Sequence, residues 1–350
     1  MSTIHRMDEF QSKNAGRSNP ARRMAALLEV LGIFVAGNFL AYHLDPLIGV
    51  KPLGSLFQAA LNTPEPDYMA FSVGWAKVMS VYYACVLLPA FALGWWRRRW
   101  GLAHYGMTTA GQPVWTLVVF GLVAFALVAL PLKLLWVARQ FVPLGQGPAF
   151  WTLLDKTWTP SFWLLLAVSS FAFTPILEEL FYRGYCQTRL EEDFGGIGAI
   201  VIVALFMTFG HNQYQQLNIL SIGTMIGLIP LTLGLGYVFW RTRSLVPGLI
   251  LHAAVNIPTR GVYDFILPAV MVMVLIVSRH RWLGMLRNFH QEWIGKNWRQ
   301  AAFAAAIAAI ILVVGFERWP DVFVPLVLFG LAVALFIEFR GRNEPNLGQD

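Results

Sequence analysis

Apolar runs of about 20 residues, the length that crosses a bilayer core of roughly 30 Å, recur along almost the whole chain. Hydrophobic residues make up 57% and charged residues 13% of the 350 residues, and the mean hydropathy is +0.57. This composition excludes a disordered chain and disfavours a single soluble domain. The sequence therefore predicts an all-α fold, a polytopic transmembrane helical bundle with about 8–10 spans embedded in the lipid bilayer.

The first run follows Arg22 and Arg23, but it is too long for a signal peptide and lacks a small-residue cleavage site, so we expect a retained span. Lys and Arg concentrate on one side of the predicted spans, which places both termini in the cytoplasm. This clustering also accounts for the net charge of +7 without a nucleic-acid partner. The predicted spans are residues 24–44, 68–96, 114–137, 161–190, 196–214, 218–240, 245–258, 262–278, 301–317 and 322–339.

A polar stretch, EELFYR, lies inside the fourth predicted span. Ionisable groups within a membrane are costly and usually face a cavity, a partner or a site. Glu179 and Arg183 are four residues apart, the spacing of an ion pair along one helix. Glu178 points about 100° away from Glu179 and can face a different group.

Two further polar stretches carry His211, and His252 with Asn256; the last two residues share one helix face because they are four apart. We predict a helical hairpin that turns at Gly195 and Gly196. Glu178 lies 17 residues before Gly195 and His211 lies 16 residues after it. At about 1.5 Å per residue, both lie about 25 Å from the turn, so the two side chains should be level.

The carboxylate, the two histidines and the asparagine of these stretches are the residue types that a hydrolytic site needs. A carboxylate removed from water can serve as general base to a water molecule, and one histidine can orient that water or carry protons. A second histidine with an asparagine can hold the carbonyl oxygen as its negative charge develops. Alternatively, Glu178, His211 and His252 form a shell of two histidines and one carboxylate for a divalent ion such as zinc. Spacing alone leaves both mechanisms open.

The motifs resemble those of the CPBP family, which includes type II CAAX prenyl endopeptidases and bacterial Abi-type proteins linked to bacteriocin processing and self-immunity. EELFYR is similar to its EExxxR motif, and GLGYVFWRTRSLVPGLILHAAVN, from Gly234 to Asn256, is similar to its third motif region. His211 fits the histidine of the middle FxxxH motif, but Met207 stands where phenylalanine is expected. The resemblance covers about residues 160–260.

This resemblance implies an intramembrane endopeptidase, a CAAX-type protease that cleaves a membrane-associated or lipidated peptide or protein substrate. It is compatible with a metalloendopeptidase that holds one divalent ion through Glu178, His211 and His252, and equally with a metal-free water activated by glutamate and histidine. The site residues that it implies are Glu178, Glu179, Arg183, His211, His252 and Asn256.

Four regions follow from the motifs and the apolar runs. They are a polar cytoplasmic tail (1–22), N-terminal transmembrane helices (23–158), a CPBP/Abi-like catalytic core (159–260) and C-terminal transmembrane helices with an interfacial segment (261–350). The interfacial segment is an amphipathic helix predicted at residues 282–299. With the family resemblance, we expect an integral protein of a bacterial inner membrane.

Two alternatives from other functional classes accompany this reading. In one, the polar core only holds helices together, and the protein is a non-proteolytic membrane scaffold or a bacteriocin-immunity factor. In the other it is a small-solute transporter, which the lack of an inverted repeat disfavours. The acidic residues Glu191, Glu192 and Asp193 are expected to form a solvated helix end.

Overall fold

The computed structural model describes residues 20–51, 53–63, 67–145, 172–211, 218–257, 259 and 261–295. Within these ranges the ordered elements are helices and there is no strand, which confirms the predicted all-α fold. The predicted polar tail before residue 20 and the predicted spans at 301–317 and 322–339 lie outside the described residues.

The other eight predicted spans overlap helices in the structure, although residues 161–171 of the fourth span and 212–214 of the fifth lie outside the described residues. In chain order the elements are α1 (Pro20–Leu47), α2 (Leu53–Asn62), α3 (Tyr68–Arg98), α4 (Val114–Val128), α5 (Leu130–Ala138), α6 (Thr174–Glu179), a π-helical segment (Leu180–Gln187), α7 (Thr188–Gly210), α8 (Ile219–Thr242), α9 (Val246–Asn256), α10 (Tyr263–Val277) and α11 (Arg279–Gly295).

By length and composition, four helical stretches in the described part of the chain can cross a membrane, and two bent pairs raise this number to six. One pair is α4 with α5, bent by 46°, and the other is α10 with the first part of α11, bent by 80°. The second bend turns α11 away from the span before it. Arg281 and Arg287 on α11 are exposed, as expected for a helix lying at the membrane surface.

The predicted hairpin is present. Gly195 breaks the helical path with φ 73° and ψ 170°, a left-handed conformation that favours glycine. The rings of Tyr182 and Phe206 are 5.4 Å apart, although 24 residues of straight helix would separate them by about 36 Å. The chain therefore folds back at Gly195, and we call its two arms, residues 174–194 and 196–210, the motif hairpin.

The hairpin packs into the centre of the bundle. Phe34 of α1 contacts both arms, with its ring 4.7 Å from that of Phe206 and 6.3 Å from that of Phe181. All three rings belong to the main hydrophobic core. Both arms also contact α8, so the motif residues lie among buried apolar side chains rather than at the bundle surface.

The tip of the hairpin differs from the expected solvated helix end. Glu191 and Asp193 keep only 2% and 1% of their surface exposed, while Glu192 is exposed. Asp193 Oδ2 lies 2.7 Å from Arg189 Nη1, and Glu191 forms an ion pair with Arg243, the residue that follows α8. The expectation was wrong for the two buried acids because cations on the same arm and at the end of a neighbouring helix compensate their burial.

Glu29 of α1 accepts hydrogen bonds from three side chains at the hairpin tip. Its carboxylate accepts hydrogen bonds from Arg98 Nη2 at 2.9 Å, Arg189 Nε at 3.0 Å and the Tyr185 hydroxyl at 2.5 Å. We call Glu29, Arg98, Tyr185 and Arg189 the tip clamp. The clamp joins α1, α3 and the first hairpin arm, so it fixes the direction in which that arm enters the bundle.

The helix α9 is shorter than the predicted span at 245–258. Its 11 residues extend for about 16 Å, roughly half of a bilayer core. It packs against α4, where a Cβ added at Gly121 would lie 2.6 Å from the Pro247 carbonyl oxygen. The missing side chain thus permits the close backbone contact that seats α9 beside the hairpin.

Candidate active site

The two adjacent glutamates lie at the end of α6, on the first hairpin arm. Glu179 is fully buried, whereas 16% of the Glu178 side chain is exposed. Neighbouring helical positions are rotated by about 100°, so one residue turns into the core while the other faces a less enclosed space. Glu178 is therefore the carboxylate that water can reach.

Arg183 holds Glu179 in place. Its Nε atom lies 3.5 Å from Glu179 Oε2, which confirms the predicted pair at i and i+4. Arg183 is itself fully buried, and its Nη2 donates to Met207 Sδ at 3.2 Å and to the Thr232 carbonyl at 3.4 Å. With no exposed surface, this arginine positions the glutamate rather than touching a substrate.

His252 of α9 lies between the two carboxylates. Its Nδ1–H donates to Glu179 Oε1 at 2.9 Å, and its Nε2 lies 3.3 Å from Glu178 Oε2. A carboxylate only accepts hydrogen bonds, so a second proton must lie between Nε2 and Glu178 for that contact to be favourable. The sequence predicted that His252 joins the site, but it did not predict this bridging position.

Tyrosines enclose the other side of Glu178. The Tyr83 hydroxyl of α3 is hydrogen-bonded to Glu178, and both Tyr83 and Tyr182 are buried. Sequence reasoning missed Tyr83. The only local signal was the tyrosine pair at positions 82 and 83 within an apolar run, and it became informative only when α3 packed against the hairpin.

His211 ends α7 and is half-buried. Its Nδ1–H donates to the Met207 carbonyl at 2.6 Å, so in the neutral ring Nε2 is the atom able to accept a proton. Arg183 contacts Met207 across the hairpin, so the two arms that carry Glu178 and His211 pack against each other. The equal depth of His211 and Glu178 stays a prediction.

Asn256 is the last residue of α9, one turn beyond His252, and it is half-buried. Because Asn256 follows His252 by four residues, its side chain lies on the same helix face, as predicted. It is one turn further from Glu179 along the helix axis. Direct contacts thus join Glu178, Glu179, Arg183 and His252. Asn256 shares the helix face of His252, and a place for His211 beside these residues stays a prediction.

The predicted zinc shell requires Glu178, His211 and His252 to direct donor atoms at one point. No three His, Cys, Asp or Glu side chains of the described residues are grouped closely enough to hold one metal ion. Nδ1 of His252 donates its hydrogen to Glu179, which leaves only Nε2 of this ring as a candidate ligand. The described arrangement thus does not form a three-residue metal shell.

Gly248 of α9 lies against Glu179. A Cβ at this position would lie 3.1 Å from Glu179 Oε2, and the carboxylate cannot easily yield because Arg183 and His252 both hold it. We expect Gly248→Ala to cost about 1–3 kcal/mol of stability and to lower activity by displacing the carboxylate. The free energy of unfolding and the turnover rate measure the two effects.

Gly227→Ala is the matched control for this substitution. Its added Cβ would meet Leu132 at ordinary van der Waals distances, 3.4 Å and longer. We expect this variant to keep its activity and its stability. Equal losses in the two variants would show that Gly248 is an ordinary helix-packing glycine.

The fold and the contacts define a polytopic helical membrane protein with a carboxylate–histidine site inside a helical hairpin. Residues 160–258 match the family model described as type II CAAX prenyl endopeptidase Rce1-like. The similarity covers 99 of the 350 residues and supports a relationship to the CPBP/CAAX protease family. The matched segment contains all six predicted site residues. No curated protein and no solved structure matches the chain.

Proposed function

We propose that this protein is an intramembrane endopeptidase in which Glu178, assisted by His252, activates the attacking water. The observation that carries the proposal is the chain of contacts from Glu178 through His252 and Glu179 to Arg183. This chain separates the roles of the two adjacent acids. Glu179 orients the histidine, and Glu178 keeps the exposed surface needed to meet water.

Hydrolysis follows from these positions. Glu178 accepts a proton from water as the water oxygen bonds to the substrate carbonyl carbon, and the carbonyl oxygen becomes negative. The Asn256 amide is a donor available to that oxygen, and Nε2–H of His252 can donate to it as well once Glu178 has taken the water proton and is no longer a charged acceptor. Glu178 then returns the proton to the amide nitrogen as the carbon–nitrogen bond breaks, which releases a new carboxyl and a new amino end. Nε2 of His211 can accept a hydrogen bond from the incoming water.

The substrate class comes from the family description. We propose a peptide that ends in a prenylated cysteine followed by three residues, as the name CAAX prenyl endopeptidase states. The apolar surroundings of the hairpin suit a lipidated chain that reaches the site from the membrane. We also propose an inner-membrane location with both termini in the cytoplasm. Basic residues such as Arg97 and Arg241 lie in the last turns of α3 and α8, and Lys and Arg are enriched at the cytoplasmic ends of membrane helices.

The experiment uses the purified full chain in liposomes with a farnesylated CAAX peptide, and the same peptide without the lipid. We expect release of the C-terminal tripeptide, identified by mass spectrometry, with the farnesylated peptide cleaved more efficiently. A wild-type protein that cleaves neither peptide would contradict the proposed substrate. If only the peptide without the lipid is cleaved, the proposed protease activity holds and the proposed role of the lipid is overturned.

His252→Asn tests the mechanism on the same peptides. The asparagine amide can still donate to Glu179, but it lacks the Nε2 atom that faces Glu178. We expect kcat to fall by about 100-fold or more. The matched control is His104→Asn, in the exposed loop between α3 and α4, which should leave kcat unchanged. If His252→Asn cleaved the peptides as fast as wild type, the catalytic role of His252 would be overturned. A folded wild-type protein that cleaves neither peptide would instead favour the alternative of a membrane scaffold or an immunity factor.

A further inference from the structure

A buried lysine reaches the end of the helix that carries His252. Lys133 of α5 keeps 6% of its surface exposed, and its Nζ donates to the carbonyl oxygens of Val255 and Ile257, both at 3.0 Å. These two carbonyls flank Asn256. The ammonium group is thus bonded directly to the backbone on both sides of a site residue.

The end of α9 needs such a partner. The last turn of a helix has carbonyl groups without intrahelical donors, and the lipid core has no water to satisfy them. A cation at this end also interacts favourably with the helix dipole. Ile257 is extended, with φ −63° and ψ 111°, so the helix ends where Lys133 binds. Lys133 therefore fixes where α9 stops and how its last turn is oriented.

A counter-charge keeps the lysine in place. Asp264 of α10 is 3% exposed and interacts electrostatically with Lys133. Gln140 Nε2 donates to Asp264 Oδ2 at 2.5 Å. We call Lys133, Gln140 and Asp264 the terminal lock. It joins α5, α9 and α10 at the opposite end of α9 from Gly248.

We propose that Lys133 is a positioning residue that sets the geometry of Asn256 and His252 for catalysis. This inference rests on the proposed endopeptidase function, because the positions it controls matter only if those side chains act on a substrate. Lys133 itself touches no reacting atom. It acts through the backbone of the last turn of α9.

The test compares Lys133→Met, Lys133→Arg and the control Lys77→Met. Lys77 is an exposed residue in α3, so its variant removes a charge from a predicted span without disturbing the lock. On the farnesylated CAAX peptide, we expect Lys133→Met to lower kcat by about 10-fold or more at similar KM, since small displacements are costly in catalysis. The arginine variant, which still presents several donors, should recover most of kcat.

Hydrogen exchange gives a readout that does not depend on activity. Backbone amides at residues 254–257 should exchange faster in Lys133→Met, while those of the hairpin keep their wild-type rates. The inference would be overturned if Lys133→Met kept the wild-type kcat and the wild-type exchange rates. It would also be overturned if Lys77→Met lost as much kcat as Lys133→Met. If Lys133→Met does not fold, Asp264→Asn takes its place. We expect a smaller fall in kcat and a smaller rise in amide exchange at residues 254–257. Wild-type values of both in Asp264→Asn would equally overturn the inference.

The two proposals can fail separately. If wild-type protein cleaves the peptide and Glu178→Gln does not, the proposed function holds and the lysine variants decide the inference. If wild-type protein cleaves nothing, the proposed function fails for this substrate. Unchanged exchange at the end of α9 would then count against the positioning role independently.

Discussion

Glu178→Gln is expected to remove hydrolysis while the protein remains folded. Glutamine preserves the size of the side chain but cannot accept a proton from water, and general-base catalysis contributes about 10²–10⁴-fold in rate. Glu178 is partly exposed, and in this variant Glu179 still accepts the hydrogen bond of His252, so the buried histidine keeps a carboxylate partner. Turnover of the farnesylated peptide and the melting temperature, measured on the same preparation, check both halves of this prediction.

Glu179→Gln should behave differently although the two residues are adjacent. Glu179 is fully buried between Arg183 and His252, and removing one member of a buried ion pair costs about 3–5 kcal/mol. We therefore expect this variant to lose both stability and activity. Glu192→Gln is the matched control, because Glu192 is exposed at the hairpin tip and its ion pairs with Arg98 and Arg189 contribute at most about 1 kcal/mol each. This variant should keep its activity and most of its stability. Identical behaviour of the two site variants would contradict the separation of roles.

Arg189→Met is expected to be the most destabilising substitution at the hairpin tip. Arg189 is bonded to Glu29 and to Asp193, both almost fully buried, so its removal leaves two anions without their main partner. We expect a loss of about 3–5 kcal/mol, seen as a lower melting temperature and a lower yield of folded protein. The site residues themselves are unchanged in this variant.

The control for that prediction is Arg22→Met. Arg22 also pairs with Asp193, at 3.5 Å, but 69% of its side chain is exposed. Exposed pairs contribute at most about 1 kcal/mol. A small effect of Arg189→Met, comparable with that of Arg22→Met, would show that the remaining members of the tip clamp support the hairpin without it.

Much of the site could be predicted because its determinants are local. The pair of Glu179 and Arg183 follows from helical spacing, and the break of the helix at Gly195 follows from the glycines there. The hairpin itself was predictable since two glycines interrupt an apolar sequence. Helical periodicity fixes such relationships within one stretch of chain before any tertiary contact forms.

Other features depend on helices that are distant in sequence, so no local pattern reveals them. The burial of Asp193 requires the clamp around Glu29, which lies 164 residues earlier in the chain. The bridging position of His252 and the bond of Lys133 to the end of α9 depend on how α9 packs against α4, α5 and α6. Met207, the one departure from the family pattern, packs in the core and accepts a hydrogen bond from Arg183.

The π-helical segment from Leu180 to Gln187 constrains how this part of the gene can change. A π-helix holds more residues per turn than an α-helix and is uncommon, found mostly as a bulge inside an α-helix. Deleting one residue there would return the segment to α-helix and change the directions of side chains within it, including Arg183 and Tyr185. Arg183 would then lose its position beside Glu179, and Tyr185 its bond to Glu29. The length of this one segment therefore affects the active site and the tip clamp together.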